Sequence, residues 1–441
     1  MIKIPPGRLV IIIALIVSLI PLLIFVYAAQ FVRYLADDFC FGPTVSLWNM
    51  IRGDGFPPTA TVLDYLIHLA RNNGSTVYCL LFLAIFGVGL WLVFREIFHN
   101  YVGALLGTSL VLGAILVCGT NVIQSVYWQA GMVENLVPLI SITFLVWLLI
   151  QRTVPPLPSI ILCFVVAFLG GADSNAFSVG QLALLGLFWL AFRNRPTLNI
   201  RLFASMVAAA LAIGAILLIP GITSRISSGA SLPLVIAEPS VVSRLIHGFI
   251  RGVKDPLIYT FAYRPFIFLA VLILPFTAAQ MPSANSLVNQ LATDLAGSPR
   301  KRIGAALGAV GLPTAALISC MIMWGAGYVT QGRLPTRTWI DGQFFLLAAT
   351  AAASFVVGLI AKATFPAQIE KLSHYRPAVF GVVGIVLMLA IGTETIRAKD
   401  VVNTLQPLAS SLMPETHNFR PVWSRFQYWP HLAWPMWIRH G

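Results

Sequence analysis

The feature that most constrains this chain is a succession of eleven apolar stretches, each close to the length that a helix needs to cross a bilayer. They run roughly over 9–29, 76–94, 101–119, 135–151, 159–171, 176–192, 202–220, 257–278, 304–326, 342–361 and 377–396. A helix rises about 1.5 Å per residue, so about 20 apolar residues span the hydrocarbon core. The fifth stretch is short. The eighth carries Arg264-Pro265, which kinks it or makes it start later than its first apolar residue. No strand-like alternation bounded by turn residues appears, which argues against a barrel. The expected fold is all-α: a polytopic transmembrane helical bundle of about eleven spans, within a range of ten to twelve.

Composition supports this reading. Of 441 residues, 58% are hydrophobic and only 10% charged, whereas a soluble domain carries about 25% charged residues. So few charges cannot cover a solvated surface, and lipid must cover much of it. The net charge of +13 has no soluble domain on which to form a basic face for nucleic acid. It points instead to membrane lipids and to anionic, lipid-linked substrates. The five cysteines (Cys40, Cys79, Cys118, Cys163, Cys320) lack metal spacing and indicate neither a disulfide framework nor a zinc site. The first apolar core, Leu9 to about Ala29, exceeds the ~7–15 residues of a cleaved signal. It is expected to be a retained helix.

Short loops rich in Lys and Arg favour the cytoplasm. With the N-terminus inside, the cytoplasmic segments carry Lys3/Arg8, Arg95, Arg152, Arg193/Arg195/Arg201, Arg300/Lys301/Arg302 and Lys362/Lys371/Arg376, and the opposite loops 120–134 and 172–175 carry neither. The expected location is the inner (plasma) membrane. Of fifteen acidic residues, only Glu96, Asp294 and Glu370 fall inside; the other twelve lie at or near the outer face. Acid–base chemistry therefore belongs outside. The organisation expected is a bundle over 1–396 with long outer loops 30–75 and 221–256, followed by an interfacial tail 397–441 containing Trp423, Trp429, Trp434 and Trp437. In the cytoplasmic segment 279–303, Ser286 is a candidate helix cap.

Five outer motifs could carry chemistry. Asp37-Asp38 directly follows the first span. Adjacent carboxylates at a membrane boundary repel each other and are costly to dehydrate, so such a pair either ends a helix in water or serves as a general base beside a cation-binding partner. The loop containing Tyr127, Trp128, Glu134 and Asn135 combines aromatic faces with amides and an acid. That combination suits a sugar ring, and equally an interfacial belt with a capping acid. Asp173 and Asn175 sit in a tight turn where Asp173 could equally cap the next helix. Arg225 and the pair Arg333/Arg337 put guanidinium groups at the outer surface. There they either bind phosphate in bidentate fashion or snorkel to headgroups. The seven histidines have no helical metal spacing, and no Walker-type loop is present.

An acidic motif in the first outer loop of a bundle of about ten or more spans resembles the GT-C class of membrane glycosyltransferases. The order Asp37-Asp38-Phe39, Tyr127-Trp128/Gly131, Gly171/Ser174-Asn175, Pro220-Gly221/Arg225, Arg333/Pro335/Arg337 more narrowly resembles a group of bacterial multi-pass membrane proteins linked to that class. Phe39 stands where that pattern often has tyrosine, and Ala176 where it has glutamate. The resemblance implies a GT-C-like bundle and a polyprenyl-phosphate-linked sugar donor bound through Arg225, Arg333 or Arg337. It implies Asp37 or Asp38 as the base that activates an acceptor hydroxyl. Divalent cation use varies across that class, and no cofactor is fixed by the sequence. Two other functions remain open: an O-antigen-like polymerase or ligase centred on 221–256, with Arg225, Arg244, Arg251 and Lys254, and a transporter or flippase for a lipid-linked substrate.

Overall fold

The computed structural model describes residues 19–20, 22–31, 57–69, 74–98, 101–119, 122–127, 129–151, 155–192, 195–219, 240–280, 286–331, 338–369 and 376–411. Among them there is no strand. The helices are α1 (Pro58–Leu69), α2 (Gly74–Phe98), α3 (Tyr101–Cys118), α4 (Gln129–Ile150), α5 (Pro156–Gly171), α6 (Asn175–Ala191), α7 (Pro196–Leu217), α8 (Val241–Leu257), α9 (Pro265–Gln280), α10 (Ser286–Gly297), α11 (Pro299–Gln331), α12 (Trp339–Thr364) and α13 (Arg376–Ser411). Five-residue π-helical segments precede α4 (Ile123–Tyr127) and follow α8 (Ile258–Ala262). In hydrocarbon every backbone polar group must be satisfied within the segment, which is why the apolar runs fold as helices.

Local signals set the boundaries. Proline occupies the first turn of α5 and of α7, where its missing N–H costs nothing. Ser174 caps α6 by accepting from Phe177 N, and Ser240 caps α8 by accepting from Ser243 N at 3.0 Å. A helix does begin at Ser286. The break expected at Arg264-Pro265 is present: α8 with its π-helical extension and α9 are bent by 84°.

Five described helices are long and apolar enough to cross a membrane: Thr76–Ile97, Gly131–Ile150, Pro196–Leu217, Pro299–Val329 and Trp339–Thr364. The bent pair makes a sixth if taken as one span. The eleven apolar runs do not all reach that length; α5 has 16 residues and α6 has 17. The 33 residues of α11 and 36 of α13 give lengths of about 50 Å, well beyond the ~30 Å hydrocarbon core. The helix α13 thus continues past residue 396, the boundary expected from hydropathy. Residues 241–257, expected within an outer loop, form the amphipathic helix α8.

The central core joins Phe25, Phe86, Leu116, Tyr127, Met132, Leu136, Phe177 and Trp324 from most of the helices. The helix α4 packs on α2, α5 on α7 and α4, and α11 on α8, α6 and α12. The helix α8 approaches α11 closely. A Cβ added at Gly248 would stand 2.8 Å from Gly325 Cα, and one at Gly252 2.7 Å from Met321 Cα, so only glycine lets the two backbones meet.

Candidate functional site

Three chain segments bring carboxyl groups together at one end of the bundle. The first is the turn between α5 and α6, where Ala172 N donates to Phe168 O at 2.8 Å and Asp173 N to Gly170 O at 3.4 Å. This turn is fixed from outside by Thr59 N of α1, which donates to Ala172 O at 3.1 Å. Asp173 is fully buried, and neither of its carboxyl oxygens has a hydrogen-bond partner among the described residues. The second is the first turn of α12, which holds Asp341, also buried with both oxygens unpartnered. The third is the start of α4, which holds half-buried Glu134. Glu134 and Asp341 both act electrostatically on Asp173, and Glu134 acts on Asp341.

Burial, then the neighbouring Glu134 and Asp341, push the Asp173 carboxyl well above the usual carboxylate range. In its neutral form it is a hydrogen-bond donor as well as an acceptor. Amides share these same segments. Asn135 donates through Nδ2 to Gly131 O at 2.5 Å while its Oδ1 is unpartnered, and the Oδ1 of Asn175 is unpartnered too. Nearly two turns deeper on α6, buried Gln181 has no partner for either amide atom among the described residues. A buried set of acids and amides without partners is costly unless a polar ligand completes it. Such a set suits a polyhydroxylated ligand.

A cluster of aromatic rings gathers at the same start of α12. Trp339 precedes Asp341 by two residues; its ring lies 4.8 Å from that of Tyr259 and 5.9 Å from that of Trp324. On the other side, Ile340 approaches the Cys118–Gly119 end of α3. Next to it lie Arg264 and Glu394, both within electrostatic reach of Cys118, and Arg397, within reach of Arg264. Glu394 is buried and its carboxylate fills the space where a side chain at Gly113 of α3 would stand.

The expected site residues divide as follows. Glu134 lies within electrostatic reach of Asp173, and Asn175 lies in the first turn of α6, two residues after Asp173. Tyr127 is fully buried and donates its hydroxyl to Phe25 O at 2.8 Å, so the structure gives it a packing and anchoring role between the π-helical segment and the helical residues 22–28. Asp37, Asp38, Trp128, Arg225, Arg333 and Arg337 lie outside the described residues. Asp341 is one of the twelve acids near the outer face but belongs to none of the five motifs. Its signal was an acid inside the first turn of an otherwise apolar helix.

Among the described residues, no three His, Cys, Asp or Glu side chains are grouped so as to hold a metal ion. The described cysteines Cys79, Cys118, Cys163 and Cys320 are free and buried. No protein-family profile, no curated protein and no solved structure matches this chain.

Proposed function

We propose that this chain is a membrane glycosyltransferase of GT-C-like build, with about eleven crossings and its N-terminus in the cytoplasm. It moves a sugar from a polyprenyl-phosphate-linked donor to a glycan, lipid or protein acceptor at the extracytoplasmic face of the plasma membrane. The observation that carries this reading is the pair of buried acids Asp173 and Asp341, whose carboxyl oxygens have no partner among the described residues, with Glu134, Asn135 and Asn175 in the same segments and the Tyr259–Trp339 rings at the start of α12. Aromatic faces stack on sugar C–H bonds, and unpartnered acids and amides take up the hydroxyls. The charge pattern supports the sidedness, since the other end carries Arg95, Arg201 and the Arg300-Lys301-Arg302 run.

In this mechanism Asp37 or Asp38 takes the proton of an acceptor hydroxyl. The acceptor oxygen bonds to the anomeric carbon, and the bond from that carbon to the donor phosphate oxygen breaks, its electron pair leaving on the polyprenyl phosphate. Neutral Asp173 donates a hydrogen bond to the sugar, and Asp341 accepts one. Separate Asp37→Asn, Asp38→Asn and Asp341→Asn variants, inserted at normal levels, are expected to lose transfer of radiolabelled sugar from lipid to acceptor by about 100-fold or more. Normal transfer in all three would sink the proposal.

A second reading is favoured by one observation. Buried Glu394 on α13, set into the side-chain-free surface at Gly113, is the kind of intramembrane ionisable group that marks transport pathways. Unchanged glycans together with altered substrate flux in Glu394→Gln would favour a transporter or flippase.

A further inference from the structure

The helix α8 carries two parallel stripes. Val242, Ile246 and Ile250, four residues apart, are 64%, 53% and 62% exposed. They form an apolar ridge on a helix that is fixed to α11 along Gly248 and Gly252. A ridge of this kind on a membrane protein faces lipid. The neighbouring stripe is His247, Arg251, Asp255, Tyr259 and Tyr263, again at four-residue spacing. The apolar ridge thus sets the depth of the polar stripe at the lipid boundary.

That polar stripe is organised. His247 stacks on Tyr328 of α11 with ring centroids 5.2 Å apart and planes at 21°. Arg251 Nε donates to His247 Nε2 at 3.5 Å, and Arg251 Nη1 donates to Asp255 Oδ1 at 3.3 Å. The Asp255 side chain is 4% exposed and that of Arg251 45%. A buried carboxylate behind and an imidazole beside therefore hold the guanidinium, and its Nη2 edge has no partner among the described residues. Lys254, exposed on the same turn, is within electrostatic reach of Asp255. With Asp255 neutralising one of these two cations, the edge keeps a net positive charge. Beyond Asp255, Tyr259 meets Trp339 at 4.8 Å, and Trp339 leads to Asp341.

We propose that the His247–Arg251–Lys254 edge of α8 binds the phosphate of a membrane-anchored phosphorylated lipid, whose head group lies over Tyr259 and Trp339 toward Asp341. A preset guanidinium matches two phosphate oxygens at once, and a lysine adds a point charge. A phosphate monoester brings a charge of about −1.5 to −2. The lipid's chain runs along the Val242–Ile246–Ile250 ridge. This assignment deepens the transfer reading and rests on it for what the phosphate carries.

The test uses the full chain in phosphatidylcholine nanodiscs, with a long-chain polyprenyl monophosphate as the probe and binding read by displacement of a fluorescent analogue. Wild type is expected to bind the monophosphate and not the corresponding polyprenol. Arg251→Gln should weaken binding by about tenfold or more, Arg251→Lys by less. Lys254→Gln, at an exposed position that folding does not depend on, should weaken it by a few fold. Arg300→Gln, at the opposite end of the bundle, should change nothing. Unchanged affinity in both Arg251→Gln and Lys254→Gln overturns the assignment. So does displacement by inorganic phosphate or phosphatidylserine as effective as that by the polyprenyl phosphate, because the site would then be a free-anion or general headgroup site. The two proposals fail separately. Loss of binding in Arg251→Gln, with wild type itself moving no sugar from lipid to acceptor, sinks only sugar transfer. Loss of transfer in Asp341→Asn with full binding by Arg251→Gln sinks only this subsite.

Discussion

The two ends of the bundle differ in how they treat their buried charged groups. At the basic end, Arg201 of α7 is 6% exposed, and its Nη1 donates to Leu148 O at 3.0 Å and Gln151 O at 3.1 Å, while its Nε has no partner among the described residues. Those are carbonyls at the end of α4, which a helix cannot satisfy by itself, and the cation also meets the negative end of the helix dipole. Exposed cations on the same side are engaged as well: the Arg95 guanidinium lies 5.3 Å from the ring centroids of both Trp91 and Tyr101, and Lys301 pairs with Asp294 at 2.6 Å. At the carboxylate end, Asp173 and Asp341 are buried at least as deeply but have no hydrogen-bond partner among the described residues. A polar group that is buried and satisfied serves the fold. One that is buried and unsatisfied destabilises the fold unless a ligand completes it.

Removing the satisfied group should therefore cost stability, and this is the largest stability effect expected from the comparison. Arg201→Ala leaves two α4 carbonyls without their charged donor. A loss of about 3 kcal/mol is expected, since hydrogen bonds to charged groups contribute about 1.5–3 kcal/mol each and part of that is recovered by relaxation. Thermal unfolding in detergent at several heating rates measures it. Sugar transfer per folded molecule should stay at the wild-type value. A stability loss equal to that of Asp341→Asn would erase the distinction between the two ends.

The unsatisfied group should show the reverse sign, and pH makes it visible. Asp173 has its folded-state carboxyl raised well above the ordinary value of 3.8. Below 3.8 both the folded and unfolded chains hold the proton, and the group makes no difference. As pH rises past that value the unfolded chain ionises first, because its carboxyl meets water, and the folded state loses ground until its own carboxyl ionises. Wild type should therefore become less stable as pH rises through this window, and Asp173→Asn should lose that dependence. The variant should match wild type in acid and exceed it at neutral pH, by about 1–2 kcal/mol after allowance for relaxation. Parallel pH curves for the two proteins would mean that Asp173 is neutralised by a partner outside the described residues.

Much of the bundle was legible because hydropathy reports directly on which segments become helices in lipid. The runs 76–94, 101–119, 135–151, 176–192, 202–220, 304–326 and 342–361 all lie within or across α2, α3, α4, α6, α7, α11 and α12. Proline's missing donor made the break before α9 equally plain. Two helical features escaped. In α8, Arg244, His247, Arg251 and Lys254 dilute any hydropathy window although the apolar residues recur every four. In α13, Arg397, Lys399 and Asp400 end the apolar run while the backbone stays helical through Ser411. Of the site, Glu134 and Asp173 were visible as polar residues in short outer loops. Asp341 was not, because its importance depends on α12 beginning against the α5–α6 turn, a tertiary fact that no local pattern carries. Tyr127 looked available for a ligand because its sequence neighbours are polar, whereas its hydroxyl is committed to Phe25 O, about 100 positions away.

The smallest effect sharpens the comparison within the carboxylate end itself. Ser174 caps α6 by accepting from Phe177 N at a long 3.5 Å, and it immediately follows Asp173. Ser174→Ala removes that acceptor, and a loss of about 0.5–1 kcal/mol is expected, at the weak end for an N-cap. If the turn serves only to join two helices, that is the whole consequence. If it holds Asp173 against Glu134 and Asp341 for a ligand, transfer should fall several-fold more than the stability change explains, because reacting groups tolerate displacements of well under 1 Å. Ser174→Thr keeps a hydroxyl acceptor and should restore both. Initial rates at saturating donor, measured with unfolding midpoints on the same preparations, separate the two roles. Equal proportional losses would reduce the turn to a connector and leave Asp341 and Glu134 as the only described acids with a claim on substrate.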